Sequence, residues 1–452
     1  MAKVFSLRQC LHVLAMTASV LLAACVPTVN QPETAQLSSF QFPKDFQWGT
    51  STSAYQVEGG ISNDWSQAGL DAGQAVNHWE RYEEDFAQAE KMHTNTYRFS
   101  VEWSRIEPRK GQWDMAAVAH YRKMIQAMKK HGLKPMLTLF HFTSPVWFME
   151  QGGWTRADNI QDYLNFVRFI VGELKADVDV WLTLNEPLVY AFKSYDAGEW
   201  PPMLKDRKLT MEVIKNLAIG HGKAYRLIHE LQPRAEVSFA HNITLLQANW
   251  VISPLDHLVT SVSSSIFNEA FWNAIEAGQL DLSPPGTAPL KIPYSAELKG
   301  SLDFIGVNYY TRYQVDASGK LSTRAGADVS DQNWEIYPDG ILEALRLADK
   351  HAKQLQIPIV ITENGLDDAS DEKRSRFILS HLYRVWQAIR EGIPVRGYMH
   401  WSLIDNYEWA DGWKPKFGLM TTERKWRPAA GVYADIARAN GFSLELYRKF
   451  VP

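Results

Sequence analysis

The 452-residue chain is 46% hydrophobic, 22% charged and 12% aromatic, which excludes a disordered polypeptide, a collagen and a multispan membrane protein. Its 47 Lys and Arg against 51 Asp and Glu leave a net charge of −4, too mild for a nucleic-acid-binding surface. Two cysteines supply neither a disulfide framework nor a cysteine-based zinc site, whereas 17 Trp are enough both for core packing and for stacking on the flat faces of sugar rings.

The chain opens with Lys3 and Arg8 and an apolar run, Leu11–Leu22, interrupted by His12, Thr17 and Ser19. At about a dozen residues the run is short of the ~20 that span a bilayer. It ends in Leu22-Ala23-Ala24-Cys25. An ordinary secretory signal has this layout. The cysteine placed directly after two small residues also resembles the bacterial lipoprotein signal. That resemblance implies cleavage after residue 24, diacylation of Cys25 and a cell-envelope location. Val26 in place of Asp favours the outer membrane, where the envelope has one. Residues 25–39 are polar apart from the anchor, with Pro27 and Pro32, and read as a tether. The remaining 40–452 read as one domain.

Short apolar or β-branched runs then recur at 46–50, 96–100, 135–140, 178–184, 236–240, 304–309, 359–362 and 395–401. Helical spacing fills the gaps at 78–92, 117–131, 162–174, 214–231 and 372–391, with Gly132 as a stop signal after the second. Strands separated by helices demand parallel pairing, and eight such units predict an α/β fold, a single (β/α)8 TIM barrel. Polar residues collect where the runs end: Arg98 and Ser100, His141, Asn185 and Glu186, Asn242, Asn308 and Tyr310, Glu363 and Asn364, His400 and Trp401. In a barrel these ends share one face, the one that carries active sites. His131, His229 and His351 lie in no such position and are read as surface residues.

Glu186 in VWLTLNEP and Glu363 in IPIVITENG occupy matched places after apolar runs, each beside an asparagine. Chemistry at an acetal needs one carboxyl protonated and one ionised. Separated by ~5–5.5 Å, one attacks the anomeric carbon while the other protonates the leaving oxygen.

TLNEP and ITENG, with DFIGVNYY at 303–310, FPKDFQWGTSTSAYQVEGG at 42–60, YRFSVEWSRIEP at 97–108 and GYMHWSLIDNYEWADGWKPKFGL at 397–419, resemble glycoside hydrolase family 1. The resemblance runs in order from about residue 41 to 440. It implies a retaining, exo-acting β-glycosidase, β-glucosidase-like, that needs no cofactor; the residues themselves offer no metal-ligating constellation, so no metal is expected. By the same resemblance Glu186 is the acid/base and Glu363 the nucleophile, and Asn185 holds the sugar 2-hydroxyl. Arg98 and Tyr310 support Glu363, and Asn308 lines the acid/base side. Gln56, His141, Glu408 and Trp409 bind hydroxyls of the non-reducing sugar, Trp401 forms the stacking floor and Phe417 closes the wall.

Glu408 disfavours a 6-phosphorylated sugar, because a carboxylate repels phosphate. Phe142-Thr143, Lys416 and GLMTTERKW at 418–426 depart from the common family pattern, so the sugar and the aglycone are not read from the resemblance. The expected partners are a small oligosaccharide or aryl β-glycoside and, through the lipid anchor alone, a membrane. Nucleic acid is not among them. The alternative is a surface sugar-binding protein on the same barrel that has lost turnover.

Overall fold

The structure, a computed structural model, describes residues 38–283 and 288–451. The expected signal segment, Cys25 and tether residues 26–37 lie outside the described residues.

In chain order β1 (Gln47–Ser51) leads to α1 (His78–Lys91), β2 (Thr96–Ser100) to α2 (Met115–Lys130), β3 (Lys134–Phe140) to α3 (Ile160–Leu174) and β4 (Val180–Asn185) to α4 (Arg207–Leu231). Then β5 (Glu236–Ala248) leads to α5 (Pro254–Ser264) and α6 (Ala270–Ala277), β6 (Ile305–Val315) to α7 (Pro338–Leu355), β7 (Ile359–Asn364) to α8 (Arg374–Arg390) and β8 (Val395–Trp401) to α9 (Pro428–Ala439). The eight strands pair in parallel in sequence order, and β8 pairs with β1 to close the sheet into a barrel. The expected (β/α)8 barrel is therefore present.

Side-chain alternation on the pleat separates two cores. Met136, Val180, Leu182, Ala240, Phe304, Val360 and Met399 form a compact cluster contributed by the strands, as a filled barrel lumen requires. The larger cluster lies between sheet and helices and includes Trp181, next to Leu182 but facing the other way. Gly49 lets β1 into this packing, since a Cβ there would lie 2.3 Å from Met399 Sδ and 2.5 Å from the Thr96 carbonyl oxygen. Leu182→Ala empties one place in a lumen that cannot collapse around it. We expect a loss of about 2–5 kcal/mol in urea-unfolding stability with the barrel retained.

Local signals account for several element ends. The Asp114 and Asp206 carboxylates accept backbone N–H groups of the first turns of α2 and α4. Helix α4 starts at Arg207, earlier than its apolar periodicity indicates, because Asp206 caps it. Helices α7 and α9, absent from the sequence reading, each begin with proline in the first turn.

Strands β5 and β6 also exceed expectation. Predicted to stop at 240 and 309, they stay paired in parallel from Ala240–Gly306 to Ala248–Val315 and rise past the barrel rim as an arm. Beyond the rim a strand is no longer buried on both faces. Polar residues such as Asn242, which reads as a strand end, and Thr244 and Gln247 beyond it are then tolerated within the strand.

His351 corrects the sequence reading. It is buried, with Nδ1 at 2.6 Å from Glu276 and its ring against Trp272. His131 and His229 are partly exposed and bonded to Glu90 and Asp303.

Candidate active site

The polar strand ends form a continuous ring at the C-terminal rim. Glu363 is in register with Asn308, and Asn308 with Asn242. Across the barrel Trp401 is in register with Ser51, and Ser51 with Arg98. Parallel pairing in a closed barrel thus places at one level residues that lie hundreds of positions apart.

Glu186 follows β4 and precedes Pro187, the first residue of a short helix. A residue before proline normally stays extended. Glu186 instead takes φ 42° and ψ 60°, held by its N–H donating to the Ala240 carbonyl at 2.8 Å. This left-handed turn brings the carboxyl to Asn308 Nδ2 at 2.7 Å and Asn242 Nδ2 at 3.1 Å. Asn308 is itself oriented by the Thr362 hydroxyl, which donates to its Oδ1 at 2.6 Å.

Glu363 meets different partners. The fully buried Arg98 guanidinium donates to its Oε1, and the Tyr310 hydroxyl donates to its Oε2 at 2.7 Å. Arg98 also donates to Asn185 Oδ1 at 2.6 Å, and Asn308 lies 3.4 Å from that same oxygen. A hydrogen-bonded path, Glu186–Asn308–Asn185–Arg98–Glu363, therefore joins the two carboxyls.

The surroundings of the two carboxyls differ. Burial pushes the Glu186 carboxyl up to about 7; the Glu363 charge adds to this, while the amides of Asn308 and Asn242 and the Arg98 charge oppose it. Burial also drives the Tyr310 hydroxyl well above its ordinary value, with Glu363 next in effect, so Tyr310 keeps the proton it donates. A guanidinium and a phenol O–H on Glu363 are interactions that only a carboxylate fully uses.

A second cluster faces this pair. Trp401 Nε1 donates to Glu408 Oε1 and Gln56 Nε2 to Glu408 Oε2, both at 3.2 Å. Burial raises Glu408 to about 8. The Gln56 amide is already committed, because Nε2 also donates to Asn406 Oδ1 at 2.9 Å and to the Tyr407 carbonyl at 2.8 Å. His141 is buried, its basicity driven well below the ordinary value by burial and then by Arg98, and its Nδ1 has no partner among the described residues. Its ring lies 6.1 Å from Trp401 and 5.8 Å from Trp409.

Phe142, one of the departures noted above, takes φ 72° and packs against Trp200 and Trp409 at 4.8 and 5.0 Å. Its neighbour Thr143 turns inward to donate to Glu102 at 2.9 Å. Phe417 packs against Tyr310 and Trp334 at 6.1 and 6.0 Å.

All the candidate residues from Gln56 to Phe417 thus fall on this rim. Two contributors went unassigned from sequence. Asn242 stood out only as a polar strand end, and Trp334 follows β6 in a loop with no periodic signal. No group of three or more His, Cys, Asp or Glu is arranged to hold a metal among the described residues.

Residues 38–442 match the model of glycosyl hydrolase family 1. The chain is 30% identical to galactolipid galactosyltransferase SFR2, chloroplastic, of Arabidopsis thaliana over 82% of its own length and 57% of that protein. It is 28% identical to beta-glucosidase A of Acetivibrio thermocellus over 90% of its length and all of that protein. Among solved structures, the beta-glycosidase from Pyrococcus horikoshii superposes with a TM-score of 0.84 at 34% identity, covering 92% of this chain and 99% of that one.

Proposed function

The chain belongs to glycosyl hydrolase family 1 and is a glycosidase, and from that premise we propose that it is a retaining, exo-acting β-glycosidase, β-glucosidase-like, working by double displacement. One observation carries the reading: two buried carboxyls on one hydrogen-bonded path, one raised to about 7 and the other held by a guanidinium and a phenol.

In the first step Glu363 attacks the anomeric carbon. The bond to the leaving oxygen breaks as Glu186 gives that oxygen its proton. Asn185, its Oδ1 held by Arg98, is left to donate from Nδ2 to the sugar 2-hydroxyl oxygen, a bond that strengthens in the oxocarbenium-like transition state. In the second step the Glu186 carboxylate takes a proton from water. The oxygen attacks the glycosyl-enzyme, and Glu363 leaves as carboxylate. The non-reducing sugar would rest on Trp401, with its hydroxyls on Glu408, Gln56, His141 and Trp409 and with Phe417 as wall. The presence of both glutamates, one bonded to Asn308 and the other to Arg98 and Tyr310, disfavours a binding protein that had lost turnover.

Proton NMR during hydrolysis of p-nitrophenyl β-glucoside should show the β-anomer of glucose first and the α-anomer only by later mutarotation. Immediate α-anomer would rule out double displacement. The relative named a galactosyltransferase favours a second outcome of the same intermediate, in which a sugar hydroxyl replaces water as acceptor. A product with one added sugar would identify it.

For location we propose a lipid anchor at Cys25 in the cell envelope, on the motif Leu22–Cys25. Labelled palmitate should mark the wild type and not Cys25→Ala, and equal labelling of both would remove the anchor.

A further inference from the structure

The arm formed by β5 and β6 ends in the most exposed apolar surface of the described chain. Trp250, Val251 and Ile252 are 65%, 83% and 88% exposed, and Leu255 and Leu258 on α5 are more than half exposed. Leu321, half exposed, belongs to the hairpin after β6 and pairs with Val315, the last residue of that strand. The turn of this hairpin approaches α5, since a Cβ on Gly319 would meet Val259 at 4.0 Å. The apolar residues thus form one patch on neighbouring elements rather than scattered singles, beside a cavity lined by Leu246, Val251, His257 and Thr260, and a patch of that kind marks an interaction surface.

Its composition identifies the occupant. From Val237 to Asn268 the one formally charged side chain is Asp256, in a chain that is 22% charged. Asp256 is buried and turned inward, accepting the Trp250 N–H at 3.0 Å and the Ser253 hydroxyl at 2.8 Å. His257 Nε2 lies 2.8 Å from the Val251 carbonyl. The turn is therefore held by its own polar groups, and its outward surface is mostly aliphatic and indole, with Gln247 and the His257 ring exposed beside it. A tip that is poor in charge and tryptophan-bearing, with Asp316 and the exposed Lys320 in the hairpin at its edge, suits the headgroup–acyl boundary of a bilayer. A folded protein partner would call for a charged rim, and the residues from Val237 to Asn268 offer only the buried Asp256. No described helix is long and apolar enough to cross a membrane, so the contact is interfacial.

We infer that this tip docks on a phospholipid bilayer and that the substrate is a β-glycoside presented by that bilayer, its sugar entering the barrel and its lipid aglycone remaining in the membrane. The placement supports the second half. Asn242, which contacts Glu186, lies on β5, and at ~3.3 Å per residue the end of that strand at Ala248 stands about 20 Å further out on the same face. The tip thus stands beyond the rim of the mouth, on the acid/base side, where the leaving group departs. The substrate half rests on the glycosidase reading; the docking half does not.

The test uses the full chain. Cys10→Ala and Cys25→Ala leave a single introduced thiol at Ile252→Cys, which carries an environment-sensitive nitrobenzoxadiazole label. Adding vesicles of phosphatidylethanolamine and phosphatidylglycerol should brighten the label and shift its emission to the blue. The same label at Asp45→Cys, ahead of β1 on the opposite face, should stay unchanged. In parallel, Val251→Glu with Ile252→Glu should lower turnover of vesicle-embedded hexadecyl β-glucoside about tenfold or more, because two charges now have to enter the interface. Soluble p-nitrophenyl β-glucoside should be hydrolysed as by the wild type.

An unresponsive label at 252, or equal responses at 252 and 45, overturns docking. Undiminished vesicle turnover by the double variant overturns the substrate assignment. A wild-type dimer that the double variant abolishes by light scattering shows that the tip covers a second copy instead. If the wild type fails to hydrolyse even the soluble glycoside, the glycosidase reading falls, and the label still decides docking.

Discussion

Glu363→Ala is expected to lower kcat for p-nitrophenyl β-glucoside by about 10⁴-fold or more, as removal of the nucleophile does in covalent catalysis. In the proposed mechanism the substitution removes the atom that attacks the anomeric carbon, and it leaves the Arg98 guanidinium, which donates to Glu363, facing a cavity. Arg98 still has Asn185 at 2.6 Å and the Thr362 carbonyl at 3.3 Å, so the side chain stays placed and the barrel should fold. A cationic cavity the size of a carboxylate accepts a small anion. Added azide should therefore restore part of the turnover by attacking from the vacated side, and the product should be the α-glycosyl azide, inverted after one displacement. Residual activity above about 1% with unchanged retention of configuration would contradict a nucleophilic role for Glu363.

Glu186→Gln separates the two halves of the reaction. For an alkyl β-glucoside, whose leaving group needs a proton, kcat should fall about 10²–10⁴-fold. For 2,4-dinitrophenyl β-glucoside the leaving group departs unaided. The first step should survive, appearing as a burst of phenolate followed by slow release of sugar. Azide needs no general base, so it should speed the second step and yield the β-glycosyl azide, of opposite configuration to the Glu363→Ala product.

The pH profile follows from the same carboxyl. Burial raises Glu186 to about 7, so the free enzyme holds the donor proton below that pH and loses it above. The wild-type kcat/KM for an alkyl glycoside should therefore fall on the alkaline side through about pH 7, and the Gln variant should lack that limb. If the limb persists in the variant, another group supplies the proton.

The barrel was legible because its strands carry the signal that sequence displays best. A strand buried on both faces is a short apolar run, and β2 and β8 begin and end where the runs do. The rim was legible for a related reason. Parallel closure sends every strand C-terminus to one face, so a polar residue at the end of an apolar run has one destination. Arg98, Asn185, Asn308, Glu363 and Trp401 all satisfy that rule. The failures share the opposite property. Strands β5 and β6 leave the barrel, and their extensions lose the double burial that makes a strand readable. His351 lies on a helix whose periodicity is apolar, yet its burial depends on Glu276 and Trp272 from α6. Trp334 reaches Phe417 and Tyr310 from a loop, and no local pattern encodes such an approach.

Residue types and their order along the chain were sufficient to name the barrel, the family it resembles and the two glutamates, since each depends on what stands next to what in the polypeptide. Folding alone settled how those groups differ. Glu186 and Glu363 have nearly the same sequence surroundings, an apolar run and an asparagine. One is raised to about 7 beside the amides of Asn308 and Asn242, and the other lies under Arg98 and Tyr310. The difference arises from partners on β2, β5 and β6 and from the exclusion of water, and a carboxyl acquires both only when the barrel closes around it.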